Sequence, residues 1–379
     1  MKKILVWETL SLVAGGQKMT LTVLDMLKDK YVFHCLIPEK GVLSNELDKR
    51  GISYTLMGNQ TMPTGIKGKS MIFRYGWLSL KAVARGIRVI NRENPDIIYA
   101  PGPAALPWSA FCGLLRGKSV IWHLHHLFLD GATIKLINFC SGWKSVKKII
   151  SVSNIVGEQI NNSKGKVKKI TIYNPVDSEK YTNGDGNTIF SELGIDRNGK
   201  LIIGQIALLQ PSKRQDVVIR TVEELWCRGV NAYAFLVGQT REEDKSYQDR
   251  LLHIVEEKGI EDRVFFLGQR NDVPNILSAI DVLMIPSSFE GFPLAGLEAC
   301  AAGVPVLGAD IGGSREFIEV SQSGRCFEYD NAEEAATAVV DVLTSEIRKI
   351  VIENGVKFSK QHTMDAYKSD IARVFCNVV

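Results

Sequence analysis

Residues 285–316 read IPSSFEGFPLAGLEACAAGVPVLGADIGGSRE, and this stretch decides the fold class. The apolar run over residues 281–286 predicts a buried strand, and a small-residue helix over residues 294–302 follows it after a polar turn. Gly303 ends the helix, because glycine adopts the left-handed conformation at a helix C-terminus without strain. Residues 304–308 predict a second short strand, and Gly312-Gly313 predicts the next turn. Strand, helix and strand in this order indicate a unit of parallel α/β structure.

The turn between the first of these strands and the helix is a candidate anion-binding site. The first N–H groups of a helix have no partner within the helix, and the helix dipole favours negative charge beside them. Glu290 precedes this N-terminus and Glu298 lies within the helix, with seven residues between the two carboxylates. A ligand with an anionic middle and hydroxyl-rich ends suits this arrangement, and a nucleotide sugar is such a ligand.

The composition is that of an ordinary globular protein. The chain has 379 residues, of which 45% are hydrophobic and 23% charged, and this length predicts two domains. The seven cysteines are scattered without a C-x-x-C pair, so we expect a reduced cytoplasmic protein with buried thiols rather than a disulfide framework or a zinc site. We expect no signal peptide, because the N-terminus enters a strand at once, and no uninterrupted apolar run is long enough to span a membrane.

The two halves of the chain carry opposite net charges. Residues 1–175 contain 25 Lys and Arg against 10 Asp and Glu, a net charge of +15. Residues 176–379 contain 21 against 32, a net charge of −11, and the sum is the +4 of the whole chain. A basic half suits a polyanion or an anionic membrane surface, so we expect the two domains to have different partners.

Residues 65–92 form a basic segment with seven Lys and Arg and no acidic residue. Apolar side chains recur along it at helical spacing, and they are Phe73, Trp77, Leu80, Ala84 and Ile87. Two interpretations stay open for this segment. It is either a surface helix with a solvated basic face, or a helix that also touches anionic lipid headgroups.

Glycines and histidines follow the predicted strands of the first half. Gly15 and Gly16 lie between the first strand and its helix, where a glycine pair lets the backbone approach a ligand or pack tightly. His123 and His125 come at the end of a strand over residues 120–123, where parallel sheets bind ligands. Either histidine can equally be a core or surface residue. A metal site is not expected, because no carboxylate or cysteine lies at ligand spacing.

The second half repeats the pattern of a strand followed by glycine. Two of its predicted strands lead into Gly238 and into Gly268-Gln269-Arg270. Lys213 precedes a predicted helix, where a cation and a helix N-terminus would act together on an anion, although a solvated surface lysine is the plain alternative. This repetition indicates a doubly wound parallel sheet whose ligand edge lies at the carboxyl ends of its strands.

Domain boundaries follow from these elements. The turn at residues 174–177 predicts the linker. We therefore expect an N-terminal domain over residues 1–174, a C-terminal domain over residues 178–362, and a helix over residues 363–379 that returns to the N-terminal domain.

Several short motifs occur along the chain in the order of one known family. They are Gly15-Gly16, His123-x-His125, Val152-Ser153, Tyr173-Asn174-Pro175-Val176-Asp177, Pro211-x-Lys213, Phe265-Phe266-Leu267-Gly268, Pro286-Ser287-Ser288-x-Glu290-Gly291-Phe292, Glu298-Ala299, Gly303-x-Pro305-Val306 and Gly312-Gly313-x-x-Glu316. Together they resemble the retaining glycosyltransferases of the glycogen-synthase-like and bacterial polysaccharide-building group, the group 1, family 4 type. The resemblance covers nearly the whole chain and is most specific over residues 286–316.

The resemblance implies a GT-B fold, in which two Rossmann-like doubly wound parallel-sheet domains face a cleft. The N-terminal domain would receive the acceptor and the C-terminal domain would hold the nucleotide sugar. The diphosphate would meet Lys213, the ribose Glu298, and the transferred hexose Glu290. His125, or less readily His123, would approach the sugar or phosphate. The backbone contacts would come from Gly291, Phe292, Pro293 and Leu294 to hexose and diphosphate, and from Gly268, Gln269 and Arg270 to the base, with Gly15 and Gly16 on the other domain.

The implied reaction is the metal-independent transfer of a hexose from a nucleotide sugar, with retention, to a glycan that we expect to be lipid-linked, in surface polysaccharide or lipopolysaccharide synthesis. The chain has no Asp-x-Asp motif, which metal-dependent glycosyltransferases of the other main fold use. We expect no cofactor and no nucleic-acid partner. Two alternatives stay open, namely a weak or silent sugar-nucleotide-binding protein and a GT-B-fold sugar-nucleotide epimerase.

One position departs from the family pattern. Family members usually carry an arginine five residues before the lysine, and this chain has Leu208 there. A clamp of two cations on the diphosphate would be reduced to Lys213 alone, with the loss of a charge-assisted bidentate contact. Arg214 or Arg270 could supply the second cation, or the helix N-terminus at residues 291–294 could stabilise more of the negative charge of the diphosphate.

Overall fold

The computed structural model describes residues 1–58 and 69–378, and for residues 69–75 it describes the backbone alone. The chain divides into two compact units. The first unit comprises Met1–Asn174 and Tyr367–Val379, and the second comprises Pro175–Ala366. Part of the basic segment predicted over residues 65–92 lies outside the described residues.

The first unit is built on a parallel sheet of seven strands. Its strands are β1 (Lys2–Trp7), β2 (Tyr31–Ile37), β3 (Ser53–Leu56), β4 (Ile97–Ala100), β5 (Ser119–Leu124), β6 (Val146–Ser151) and β7 (Lys169–Thr171). They lie in the order β3-β2-β1-β4-β5-β6-β7, so the winding direction reverses between β1 and β4. The crossover helices are α1 (Gly15–Leu27), α2 (Val42–Lys49), α3 (Lys69–Glu93), α4 (Ala105–Arg116), α5 (Gly131–Ser141), α6 (Asn154–Glu158) and α7 (Ser163–Lys166).

The second unit is built on a parallel sheet of six strands. Its strands are β8 (Leu201–Ile206), β9 (Ala232–Val237), β10 (Val264–Gly268), β11 (Val282–Ile285), β12 (Val306–Ala309) and β13 (Gly324–Phe327). Their order is β10-β9-β8-β11-β12-β13, with the reversal between β8 and β11. Its helices are α8 (Ser178–Tyr181), α9 (Asn187–Leu193), α10 (Gln215–Cys227), α11 (Lys245–Glu257), α12 (Val273–Ala279), α13 (Leu294–Ala301), α14 (Gly312–Ser321), α15 (Ala332–Val342) and α16 (Ser345–Gln361).

The last helix, α17 (Met364–Cys376), packs its C-terminal part on the first sheet. The ring of Phe375 lies 5.3 Å from that of Tyr99 and 5.9 Å from that of Tyr31, and it is completely buried. Aromatic contacts of this kind stabilise a helix on a sheet beyond the area that they bury.

The sequence predicts this doubly wound α/β architecture correctly, for a physical reason. Strands covered by helices on both faces are buried on both sides and read as continuous apolar runs. The central strands β4, β9 and β11 are buried at every position. Four cysteines are buried within this structure, namely Cys35, Cys112, Cys140 and Cys300. Among the described residues, no helix combines the length and apolar character that crossing a membrane requires.

Three local predictions are wrong. Gly15 and Gly16 open α1 rather than forming a loop before it, and Gly312 with Gly313 opens α14 rather than making a turn. His123 lies inside β5, which continues to Leu124, rather than at its end. Gly16, Gly313 and His123 are buried, and tertiary packing there outweighs their low local preference for the element.

Candidate functional site

Two loops of the second unit meet at the point where its sheet reverses direction. Lys213 lies in the loop after β8, and Glu290 lies in the loop after β11, 77 residues further on. Because β8 and β11 are neighbours in the sheet, the two loops leave it side by side. The Lys213 ammonium donates to the Glu290 carboxylate in a largely buried ion pair. Open α/β sheets bind their ligands outside the strand ends at such a reversal.

Two side-chain amides hold the backbone of the loop that carries Lys213. The buried amide of Gln205, at the end of β8, donates to the Lys213 carbonyl at 2.6 Å, and the Gln215 amide donates to the Leu208 carbonyl at 3.0 Å. Arg214 then turns the chain into α10 with a φ of +53°, a conformation that non-glycine residues rarely adopt. Lys213 is therefore held one residue before the cap of α10.

The loop that carries Glu290 is fixed by two neighbours. The Ser288 N–H donates to the Ser212 carbonyl at 2.9 Å, which ties this loop to the lysine loop. The Gly313 N–H donates to the Glu290 carbonyl at 3.1 Å. A Cβ at Gly313 would lie 2.3 Å from the Gly291 carbonyl oxygen, so the first turn of α14 approaches this loop as closely as only glycine permits.

The N-terminus of α13 opens beside this loop. Pro293 is its cap residue and Leu294 its first helical residue. Pro293 has no N–H, so it cannot donate to an anion, and the contacts predicted from the backbone of residues 291–294 stay a prediction. The Phe292 side chain is buried against Phe317, with ring centroids 5.3 Å apart. Any ligand contact of Phe292 would therefore use its backbone.

Glu298 lies in the middle of α13, where it has a partner that the sequence did not indicate. The Tyr181 hydroxyl, at the end of α8, donates to the Glu298 carboxylate at 2.8 Å. Burial raises the pKa of Tyr181, and the Glu298 charge raises this pKa further. The phenol therefore stays protonated and donates to the Glu298 carboxylate. The ribose role of Glu298 stays a prediction.

Glycines occupy the turns after β9 and β10. Gly238 has a φ of +151°, and a Cβ there would lie 1.9 Å from the Ala207 carbonyl oxygen. Gly268, with a φ of +63°, is exposed together with Gln269. The Gly238 N–H donates to the Gly268 carbonyl at 2.8 Å, which joins the two turns. The predicted backbone contacts from Gly268 and Gln269 to a base stay a prediction.

Neither arginine that could replace the missing cation at Leu208 is available in this structure. The Arg214 guanidinium binds Asp216 at 2.8 Å and also Asp330, and these acids raise its pKa. Arg270 binds Glu192 at 2.6 Å and Asp272 at 2.8 Å, with the same effect on its pKa. Both guanidinium groups support the surrounding loops, so of the cations that the sequence suggests for this site Lys213 remains, beside the α13 N-terminus.

In the first unit, the glycine pair lies against the histidines. A Cβ at Gly16 would lie 3.3 Å from Nε2 of His126 and 3.6 Å from the Cβ of His125. Gly16 is buried and Gly15 is exposed at the N-terminus of α1. The structure thus brings Gly15, Gly16 and His125 together at the carboxyl edge of the first sheet, as the sequence predicts for parallel strands.

His123 and His125 are both buried, and their rings stack with centroids 4.0 Å apart. Nδ1 of His123 shares a hydrogen bond of 2.6 Å with the Tyr99 hydroxyl. Burial lowers the pKa of His123 to about 3. Burial, together with the neighbouring His123 and His126, also lowers the pKa of His125. The ring of His123 therefore packs against a neutral His125 ring. The catalytic role of His125 stays a prediction.

Acid is expected to destabilise the first unit through these histidines. Below about pH 6.5 the unfolded chain binds a proton at His123, whereas the folded chain does not until about pH 3. The free energy of unfolding therefore falls as the pH drops from about 6.5, by up to about 1.4 kcal/mol per pH unit for this group. Urea unfolding at several pH values measures the slope, which His123→Gln should reduce and His253→Gln, at an exposed position, should not.

Histidine NMR provides a check that does not depend on the stability of a variant. The ring signals of His123 and His125 should stay those of neutral imidazole between pH 7.5 and 5. Titration of the His123 ring near its ordinary pKa would contradict the expectation.

Two family models match the chain. The model described as "Glycosyltransferase Family 4" matches residues 42–180, and the model described as "Glycosyl transferases group 1" matches residues 187–358. The chain belongs to the group 1 glycosyltransferases. The second match contains Lys213, Glu290 and Glu298. The loops that meet at the sheet reversal in this glycosyltransferase thus lie within the part that the family shares.

Two relatives show the range of related sequences. N-acetyl-alpha-D-glucosaminyl L-malate synthase of Bacillus anthracis is 28% identical over 286 residues, which are 73% of this chain and 72% of that relative. The UDP-Gal:alpha-D-GlcNAc-diphosphoundecaprenol alpha-1,3-galactosyltransferase of Escherichia coli is 22% identical over 361 residues, 92% of this chain and 89% of that relative. The first name specifies L-malate, and the second specifies a sugar on diphosphoundecaprenol.

Solved structures share the GT-B fold. The crystal structure of Anabaena HepE in complex with UDP-glucose matches with a TM-score of 0.83 at 20% sequence identity, over all of both chains. WaaG, a glycosyltransferase involved in lipopolysaccharide biosynthesis, matches with a TM-score of 0.70 at 14% identity over 98% of this chain and 99% of that one. This similarity shows the fold of the glycosyltransferase described here.

Proposed function

We propose that this glycosyltransferase moves a hexose from a nucleoside-diphosphate sugar to a glycan acceptor with retention of the anomeric configuration. One observation carries the proposal furthest. The Lys213–Glu290 ion pair lies at the sheet reversal beside the N-terminus of α13, so positive and negative groups are already placed for the two ends of a sugar diphosphate. The UDP-glucose complex of the structural neighbour supports this class of donor.

In the proposed reaction, the diphosphate takes the place of Glu290 on the Lys213 ammonium. Glu290 is then released toward the hydroxyl groups of the transferred hexose. As the bond from the anomeric carbon to the phosphate oxygen breaks, negative charge grows on the diphosphate. Lys213 and backbone N–H groups at the start of α13 stabilise it, and such preorganised groups are the usual source of the largest rate effects.

Glu290 is not proposed as a covalent nucleophile. Retaining hydrolases place one carboxylate on each side of the sugar. Here Glu290 and Glu298 come from one short segment of the donor-binding unit, and Glu290 is paired with Lys213. We propose that a phosphate oxygen of the donor accepts the proton of the acceptor hydroxyl on the same face. No metal ion is part of this proposal, since Lys213 and the helix N-terminus supply the positive charge.

The proposed activity is tested in two steps. A panel of nucleotide sugars is screened by thermal shift, and the donor that stabilises the protein is then assayed for transfer to candidate acceptors. NMR of the product gives the configuration of the new glycosidic bond. A product of inverted configuration would rule out retention. Thermal stabilisation by a donor without turnover would favour a sugar-nucleotide-binding protein that has no transferase activity.

Glu298→Ala is expected to weaken donor binding about tenfold or more, because the ribose loses a charged hydrogen-bond acceptor. Tyr181→Phe should weaken binding less, since Glu298 stays but is no longer held by the phenol. Isothermal titration with the nucleoside diphosphate alone measures both effects. The matched control is Tyr247→Phe, a second buried tyrosine of the same unit. Equal affinity of Glu298→Ala and the unchanged protein would contradict the ribose role.

We propose a lipid-linked glycan as the acceptor and the inner face of the cytoplasmic membrane as the place of reaction. The Escherichia coli relative, whose name specifies a diphosphoundecaprenol acceptor, supports this over most of the chain. The malate synthase supports a small polar acceptor instead. Transfer to an undecaprenyl-diphosphate-linked sugar, compared with transfer to L-malate, separates the two classes.

A silent sugar-nucleotide-binding protein is the second candidate function. Leu208 stands where the family pattern has an arginine, and Arg214 and Arg270 are both bound to acids. A single lysine would then face the diphosphate, which lowers the expected rate more than the affinity for the donor. Leu208→Arg tests this directly. Under this candidate the substitution creates turnover, and under the proposed function it raises a rate that is already measurable.

A further inference from the structure

Large apolar side chains are exposed on three neighbouring helices of the first unit. α4 packs beside both α3 and α5 in the helix layer that leads from β3 to β6. On the outer surface of this layer, the Phe139 residue is 65% exposed and Leu115 is 52% exposed. We name this surface the α3–α5 face, and its exposed apolar members include Trp77, Leu80, Phe111, Leu115, Leu136 and Phe139.

Two aromatic members of this face, Phe111 and Phe139, form a cluster with Trp143. The ring of Phe139 on α5 lies edge-on to Trp143, with centroids 5.6 Å apart. Phe111 on α4 lies 6.2 Å from the same indole ring. Single exposed apolar residues are ordinary on protein surfaces, but contiguous apolar patches mark binding surfaces.

The helices of the α3–α5 face are rich in basic residues. Residues 69–150 contain twelve Lys and Arg and three Asp and Glu. The Lys81 ammonium lies 3.4 Å from the centroid of the Trp77 ring, in a cation–π contact. Exposed basic side chains of the described face include Lys81, Arg88, Arg116, Lys135 and Lys144.

This combination distinguishes between two kinds of partner. The cores of protein–protein interfaces are depleted in lysine. Surfaces that bind anionic bilayers instead combine Trp, Phe and Leu, which enter the headgroup region, with Lys and Arg, which contact the lipid phosphates. The α3–α5 face has the second composition, and its charge is complementary to an anionic membrane.

We propose that the α3–α5 face binds the surface of an anionic phospholipid bilayer. Phe139, Leu115 and Phe111 enter the headgroup region, while Arg116 and Lys135 contact lipid phosphates beside them. This extends the interpretation of the basic segment at residues 65–92 to α4 and α5, whose apolar residues the sequence analysis did not single out. The proposal rests on the membrane location given under the proposed function and adds the surface that binds there. Vesicle binding itself requires no sugar transfer.

Vesicle flotation of the full-length protein tests the proposal. The vesicles contain phosphatidylcholine alone or phosphatidylcholine mixed with phosphatidylglycerol, and no glycan acceptor. The protein should bind the mixed vesicles in a salt-sensitive way and the neutral vesicles weakly. The double variant Leu115→Ser/Phe139→Ser should reduce the partition coefficient about tenfold or more, since it removes two anchors. Arg116→Gln/Lys135→Gln should reduce it by a similar factor and flatten the salt dependence.

The matched control lies on α16 of the second unit. Ile350 is 52% exposed, as Leu115 is, and it stands beside the exposed Lys349. Ile350→Ser/Lys349→Gln should bind vesicles like the unchanged protein. The proposal is overturned if the unchanged protein does not float with the anionic vesicles, or if the Leu115/Phe139 double variant floats as well as it does.

Sedimentation velocity and a soluble-acceptor assay separate the remaining outcomes. If the unchanged protein is a dimer and Leu115→Ser/Phe139→Ser is a monomer, the face binds a second copy of the chain and the membrane proposal is wrong. Transfer to a soluble acceptor should be unchanged in these variants, because none of the residues belongs to the donor site. Vesicle binding without transfer activity would instead contradict the proposed function alone.

Discussion

Lys213→Ala is expected to lower kcat for sugar transfer about 10²- to 10³-fold, the range observed when one preorganised charge-stabilising group is removed. The loss should be at the upper end of this range, because neither Arg214 nor Arg270 is placed to replace the lost charge. Leu208 is apolar, and the guanidinium groups of Arg214 and Arg270 are bound to acids. Steady-state kinetics with the donor identified in the screen measures kcat, and titration with the nucleoside diphosphate measures affinity.

The substitution also leaves Glu290 without its ion-pair partner in a largely buried place. A loss of stability must therefore be separated from a loss of charge at the leaving group. Lys213→Arg keeps the charge and should retain more activity than Lys213→Ala, and the thermal midpoint of each variant measures its loss of stability separately. Lys245→Ala removes an exposed lysine of the same unit and should leave kcat unchanged. A kcat for Lys213→Ala within a few-fold of the unchanged protein would contradict the proposed mechanism.

The sequence predicts the fold because its signals are local. Continuous apolar strands and glycines at strand and helix ends are readable without any knowledge of neighbours. Lys213 and Glu290 were each identified from such signals, as residues that follow a strand and precede a helix. Their ion pair could not be predicted from spacing, because it depends on β8 and β11 being adjacent in the sheet.

The residues that sequence reasoning missed have no periodic signal at all. Tyr181 binds Glu298, which lies 117 positions further along the chain. Gln205 binds the Lys213 carbonyl because the chain turns back after β8. His123 was expected at a strand end because histidine is polar. It lies within β5 because Tyr99, on the neighbouring strand, provides a hydrogen-bond partner in the core. Such contacts require the tertiary structure to be known.

The same contrast explains the glycine pair at 312 and 313. Glycine is unfavourable within a helix, so the sequence favours a turn at this point. The structure starts α14 there instead, and the reason lies in another loop. The Gly313 backbone is packed against the Glu290 and Gly291 carbonyls, which leaves no space for a side chain. The glycine at position 313 is thus explained by the position of Glu290 and not by α14 itself.

Gly313→Ala is therefore expected to lower kcat about tenfold to 10²-fold, because a misplacement of catalytic groups by about 1 Å can have an effect of that size. Its Cβ would lie 2.3 Å from the Gly291 carbonyl oxygen and 2.6 Å from that of Glu290, so α14 or the loop that carries Glu290 must shift. Overpacking of this kind should also reduce the free energy of unfolding by about 1–3 kcal/mol. Kinetics with saturating donor and urea unfolding measure the two effects separately.

Gly131→Ala is the matched control, because Gly131 also lies in the first turn of a helix and a Cβ there would meet no atom within 4 Å. It should leave kcat unchanged and leave stability unchanged or slightly higher. If Gly313→Ala lost stability but kept its kcat, the loop would tolerate displacement and the position of Glu290 would not limit the reaction. If the kcat and the stability of Gly313→Ala both fell while those of Gly131→Ala did not change, the contact between α14 and this loop would be what holds Glu290 beside Lys213.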